Sequence, residues 1–140
     1  MFSQRIKSVM DAKKLLTAST QTSVFDAAKQ MAQRQVSAVL VVDDDQLVGI
    51  FTERDAVFRV IAAGLDVHAT RIGEVMTPSP QSVDPDKTFG YALLLMHEHG
   101  FRHVPVVLNG KPIGIVSARS ALDPDMEEFV SEEQRRRHIK

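Results

Sequence analysis

Two seven-residue stretches carry residue types that can do chemistry at a spacing that brings them together. The first is Gly49-Ile50-Phe51-Thr52-Glu53-Arg54-Asp55, the second Gly114-Ile115-Val116-Ser117-Ala118-Arg119-Ser120. In each, an apolar run ends in a hydroxyl residue, and a cation follows two residues later. In the first copy a carboxylate comes next; in the second its place is taken by Ser120. If helices begin at Thr52 and Ser117, their unpaired N–H groups and dipoles favour an anion there. Thr52 and Ser117 add hydroxyl donors, and Arg54 and Arg119 add positive charge. Asp55 can accept hydrogen bonds from vicinal ribose hydroxyls, as an acidic residue does in dinucleotide folds. These parts suit a phosphorylated nucleoside. The spacing Thr52-x-x-Asp55 is also that of a capping box with Asp in place of Glu or Gln. The two uses are compatible, since one threonine can cap an empty helix and bind phosphate when a ligand is present.

The elements that must position these residues occur twice. Ala27/Ala92, Met31/Met96, Val39/Val104, Val41/Val106, Gly49/Gly114, Ile50/Ile115 and Arg54/Arg119 are identities at a constant offset of 65. Before them, Ile6/Ile72 and Met10/Met76 match at an offset of 66. Register held through several successive elements marks an internal duplication. The boundaries expected are 1–66 for the first repeat, 67–123 for the second and 124–140 for a tail helix.

Within each repeat the periodicity predicts strand, helix, strand, strand, helix. Val24, Ala27, Ala28 and Met31 form one helical stripe behind a Ser23 N-cap. Ala38 to Val42 is an uninterrupted apolar run, as in a strand buried on both faces. Asn109-Gly110 predicts a two-residue hairpin turn. A helix is expected from Thr52 to about Ala63 with Ala56, Val57, Val60 and Ile61 on one face, ended by Gly64. Its counterpart begins at Ala118 and is interrupted at Asp123-Pro124. A tail helix from Asp125 to His138 is acidic first and basic last, which suits its dipole. A two-stranded hairpin is unstable alone. The copies must therefore pack on each other, most simply about a pseudo-twofold axis that relates Thr52 to Ser117. The expected fold is α/β (α+β), two intertwined repeats.

Other features narrow the function. A net charge of −1 gives no global pull toward nucleic acid. The basic run Arg135-Arg136-Arg137 reads as a solvated helix end. No apolar run approaches the roughly 20 residues of a membrane span, and the N-terminus does not read as a signal peptide. The lack of cysteine excludes disulfides and thiolate zinc sites, and a cytoplasmic location is expected. Asp43-Asp44-Asp45 reads as a solvated turn rather than a metal site. His97 and His99 lie two apart on a helix and share no face. No catalytic grouping emerges, so neither an enzyme nor a metal site is expected.

At this point the residues resemble a known family. Gly49 to Asp55 is similar to the G-φ-φ-T/S-x-x-D signature of cystathionine-β-synthase (CBS) domains. Val75-Met76-Thr77-Pro78, Ala92-x-x-x-Met96 and Arg102-His103-Val104-Pro105-Val106-Val107 resemble that family too, over roughly residues 6–123. The resemblance implies a tandem CBS pair, or Bateman module: a regulatory homodimer that binds AMP, ADP or ATP, with NAD and S-adenosylmethionine as further members of the ligand class. It signals through its dimer or an effector protein. Family positions assign the ribose to Asp55 and phosphate to Thr52 and Arg54, with Arg102 or His103 also facing phosphate. Thr17 and Ser82 flank the base. Ser117 and Arg119 belong to the second site, and Ser37 and Ala38 occupy the positions matching Arg102 and His103. Because Ser120 replaces the aspartate, the site holding Asp55 is expected to bind nucleotide and the Ser117/Ser120 site to be weak, empty or differently selective. A ligand-free dimerisation or interaction module is the alternative.

Overall fold

The computed structural model describes residues 2–120 and 123–139. In chain order the elements are α1 (Ile6–Val9), β1 (Thr17–Ser19), α2 (Val24–Arg34), β2 (Ala38–Asp43), β3 (Gln46–Thr52) and α3 (Glu53–Asp55), which continues as a π-helix over Ala56–Ile61. Then follow α4 (Ile72–Val75), β4 (Thr77–Pro78), α5 (Phe89–His99), β5 (His103–Leu108), β6 (Lys111–Ser117) and α6 (Asp123–Ile139). This is a mixed α+β fold built from two like halves. Strands β1-β2-β3-β4 form one sheet, with β1 parallel to β2 and the remaining pairs antiparallel. Strands β5 and β6 form the second, extended by a parallel bridge from Val83 to Val106 and an antiparallel one from Asp11 to Ile115.

Local chemistry explains the element ends. Ser23 accepts a hydrogen bond from the Asp26 N–H, and Thr88 accepts one from Tyr91, so each long helix begins at a side-chain cap. The C-caps Gln35 and Gly100 are both left-handed, 65 residues apart. Asn109 and Gly110 have positive φ, as a type I′ turn requires. In the first repeat Asp44 and Asp45 take that conformation instead, so the acidic triplet forms the hairpin turn.

The halves are intertwined through their lead-in segments. The Ile6 N–H donates to the Lys87 carbonyl and the Ile72 N–H to the Thr22 carbonyl, each at 2.8 Å. Ile6 therefore lies in the core of the second half, with Val83, Phe89, Ala92, Met96, Val104, Val106 and Val116. Ile72 and Val75 lie in the core of the first, with Val24, Met31, Val39, Val41, Phe51 and Val60. A third cluster, Ala38, Leu40 and Ile50 packed by Leu15, Leu47 and Ile115, joins the two sheets. Strand β2 thus buries both faces, Val39 and Val41 on one and Ala38 and Leu40 on the other. The motif glycines serve the same exchange. A Cβ on Gly49 would collide with the Met76 sulfur, and one on Gly114 would come within 2.9 Å of the Met10 sulfur. Each glycine admits the methionine of the other half's lead-in.

Three expected elements differ. After α3 the chain winds as a π-helix, marked by the Ala62 N–H donating to the Val57 carbonyl. The wider turn breaks the expected face: Val60 is buried, while Val57 and Ile61 are exposed. In the second half residues 118–120 form a turn rather than a helix start, and Ala121 and Leu122 lie outside the described residues. Pro124 does not interrupt a helix but lies in the first turn of α6, where its missing N–H costs nothing.

Candidate functional site

The motif at Thr52 folds as a capping box. The Thr52 Oγ accepts from the Asp55 N–H at 3.2 Å, and the Asp55 carboxylate accepts from the Thr52 N–H at 3.0 Å. Asp55 Oδ2 also accepts from the Thr52 hydroxyl. Its other oxygen, Oδ1, lies 3.5 Å from the Thr77 hydroxyl and 3.4 Å from Arg59 Nε. Arg59 also donates from Nη1 to the Met76 carbonyl. Asp55 is 7% exposed, and its carboxylate is engaged from several sides. Arg54 turns its guanidinium over the Phe58 ring, 5.0 Å from the centroid.

The second motif keeps this geometry with one oxygen fewer. The Ser117 N–H donates to Ser120 Oγ at 2.8 Å, and the two hydroxyls lie 3.3 Å apart. Ser120 therefore caps the turn as Asp55 does, without a charge. The residue matching Arg59 at the offset of 65 is Pro124, which has no cation to close over the site.

A cavity of about 820 Å³ opens beside this second motif. That lies within the roughly 300–1,000 Å³ of small-molecule sites. One wall is Ser117, Ala118, Arg119 and Ser120; another is Arg102 and His103 from β5 with Ser37 and Ala38 from β2. Glu53 lies at the junction, and the lead-in contributes Ser8, Val9, Met10, Asp11 and Lys14. Three cations, Lys14, Arg102 and Arg119, thus share the cavity with two carboxylates, Asp11 and Glu53.

The two halves touch across the cavity wall. His103 Nε2 and Ser37 Oγ are 2.9 Å apart, at the heads of the two hairpins. Burial holds the imidazole below its ordinary pKa; Glu53 opposes this shift and Arg102 reinforces it.

Of the residues singled out from sequence, Ser37, Ala38, Arg102, His103, Ser117 and Arg119 come together around the cavity. Thr52, Arg54 and Asp55 do not line it, and neither do Thr17 and Ser82. Thr17 is an exposed residue of β1, and Ser82 is exposed beside the buried Val83. The cavity therefore accompanies the motif that lacks the aspartate. Sequence reasoning weighed the motif carboxylate and overlooked what faces it. Asp11, Lys14 and Glu53 were missed as lining residues. The signal for Asp11 was present in the offset of 66, which sets Asp11 against Thr77.

Comparison with known proteins agrees with this architecture. The CBS domain model matches residues 6–62 and 72–125, and the chain belongs to the CBS-domain family. It is 43% identical over 118 residues to the meiotically up-regulated gene 70 protein of Schizosaccharomyces pombe, covering 76% of this chain and 16% of that one. It is 40% identical over 112 residues to the uncharacterized protein YlbB of Bacillus subtilis, covering 75% of each. The chain spans a fifth or less of the first relatives it matches. A conserved protein from Pyrococcus horikoshii has the same fold, with TM-score 0.81 and 31% identity over 89% of this chain and 94% of that one. Two more distant structures share the fold. One is a CBS domain protein from Pyrobaculum aerophilum complexed with AMP, at 22% identity and TM-score 0.75 over 83% of this chain and 88% of that one. The other is a CBS domain pair in complex with 5′-methylthioadenosine and S-adenosyl-L-methionine, at 24% identity and TM-score 0.76 over 86% of this chain and 98% of that one. Among the described residues, no helix is long and apolar enough to cross a membrane.

Proposed function

We propose that this chain is a regulatory CBS pair that holds an adenosyl ligand in the cavity beside Ser117 and Ser120. The observation that carries the reading is the convergence of Lys14, Arg102 and Arg119 with the hydroxyls of Ser37, Ser117 and Ser120 on one cavity of nucleotide size. Charge-assisted hydrogen bonds from such cations are the strong ones, and arginine matches phosphate with two parallel donors. That AMP and S-adenosyl-L-methionine occupy proteins of the same fold supports the class of ligand. The site at Asp55 is the secondary one in this reading, because its carboxylate already holds Arg59.

The function is sensing rather than catalysis. Ligand contacts reach both halves, since Ser37 and Glu53 come from the first and Arg102 to Ser120 from the second. A ligand that favours one packing of the halves over another shifts their balance by its difference in affinity. The readout is then a second copy of the chain or an effector protein. The interaction-module alternative has its own support in the exposed Val57, Phe58 and Ile61 of the π-helix.

Thermal denaturation and calorimetry with AMP, ATP, NAD and S-adenosylmethionine test this reading. At least one of them is expected to raise the melting temperature. Arg102→Ala or Arg119→Ala should weaken a phosphorylated ligand by about 10- to 100-fold, the loss of one charged hydrogen bond of about 1.5–3 kcal/mol. No shift with any of the four at millimolar concentration would overturn it in favour of the interaction module.

A further inference from the structure

In the first half a hydroxyl and a carboxylate meet across the sheet edge, and the second half sets a carboxylate and a hydroxyl at the two equivalent positions, exchanged. In the first half the lead-in of the second repeat pairs with β3, Thr77 opposite Ile50, and the Thr77 hydroxyl reaches Asp55. In the second half the lead-in of the first repeat pairs with β6, Asp11 opposite Ile115, and the Asp11 N–H donates to the Ile115 carbonyl at 3.1 Å. Asp11 therefore holds toward Ser120 the position that Thr77 holds toward Asp55, and both Asp11 and Ser120 line the cavity. The motif carboxylate has not vanished from the second half; it has crossed to the facing strand.

Asp11 is available for a ligand in a way Asp55 is not. Its Oδ1 accepts from the N–H groups of Lys13 and Lys14 at 2.9 and 3.1 Å, which fixes the carboxylate. Among the described residues, Oδ2 makes no hydrogen bond and no cation pairs with it, whereas Asp55 holds Arg59. The other cavity carboxylate, Glu53, is placed differently: it acts on His103 and stands near the phosphate-binding cations. We infer that Asp11 accepts hydrogen bonds from the vicinal hydroxyls of the ligand's ribose, in place of the aspartate absent at position 120. This rests on the adenosyl reading of the cavity.

The test compares AMP and ATP with their 2′-deoxy counterparts by calorimetry on the full chain. Wild type should prefer the ribo form by about 10-fold or more, and Asp11→Asn should abolish the preference. Asn keeps an oxygen for the Lys13 and Lys14 N–H groups, so the loop is preserved. The double change Asp11→Thr with Ser120→Asp rebuilds the arrangement of the first half and should restore the preference that Asp11→Thr alone removes. Arg102→Ala should weaken ribo and deoxy forms alike. If wild type shows no preference, or Asp11→Asn retains it, the role of Asp11 is overturned while the cavity reading stands. If neither AMP nor ATP binds wild type, the role of Asp11 is overturned, and the cavity reading falls with it when NAD and S-adenosylmethionine fail to bind as well.

Discussion

Arg59 lies over Asp55, its Nε 3.4 Å from Oδ1, while its Nη1 holds the Met76 carbonyl of the lead-in that runs alongside. One guanidinium thus closes the first motif and ties it to the other repeat. In the second half the corresponding residue is a proline, and the cavity is there. Arg59→Ala should cost little stability, about 0.5–1 kcal/mol for a half-exposed ion pair. It should also free the Asp55 carboxylate. Calorimetry should then show nucleotide stoichiometry rise from one to two per chain; a stoichiometry of one in the variant would show that Arg59 does not bar the first site.

Asp55 itself acts chiefly on folding in this scheme. Asp55→Ala removes the acceptor of the Thr52 N–H and should lower stability by about 1–2 kcal/mol, the range of a lost cap. The ligand-induced rise in melting temperature should survive. Its disappearance in an otherwise folded Asp55→Ala chain would return the ligand to the first motif.

His103 gives the fold a dependence on acid. Burial lowers its pKa in the folded chain, so the unfolded chain takes up this proton first as pH falls. Stability should decline as pH drops from above the ordinary imidazole value of about 6.5 toward the lower folded value, then level off with respect to this group. Arg102 acts against the protonated ring and Glu53 for it, and Lys14, Arg119 and Asp11 line the same cavity. Melting temperatures of wild type and His103→Gln between pH 8 and pH 5 should diverge in that window. Parallel curves would rule the residue out.

Ile6 is 0% exposed, packed in the core of the second half. Ile6→Ala should cost about 2–5 kcal/mol, as for other buried aliphatic truncations. Chemical denaturation checks this. A loss below about 0.5 kcal/mol would mean that the segment is not seated in that core.

The π-helix presents Val57, Phe58 and Ile61 at 48%, 58% and 67% exposure. Such a patch suits a protein contact, and a second copy is the partner proposed. Phe58→Glu combined with Ile61→Lys should convert a dimer to a monomer in light scattering, with the ligand response retained in its cavity. Unchanged mass would exclude this face.

Much of the fold was legible because it rests on short-range signals. Ser23 as a cap, the Asn109-Gly110 turn, the doubly buried β2 and the duplication itself follow from residue type and spacing. The winding after Asp55 was not legible, since one apolar pattern serves an α-helix and a π-helix until tertiary packing chooses which residues turn inward. The cavity was half legible. Ser117 and Arg119 came from residue type and spacing, and Arg102 and His103 from the family resemblance. Asp11 was not legible, because only the exchanged lead-in brings it opposite Ile115 and beside the second motif.

That exchange has a consequence for how such a chain can arise. Each half buries its first isoleucine in the core of the other, Ile6 in the second and Ile72 in the first. Two separate copies would therefore have to trade these segments, and joining them end to end makes the trade permanent. Once joined, the halves are released from being identical. One can lock its carboxylate beneath an arginine while the other moves that charge to the opposite strand and keeps its cleft open.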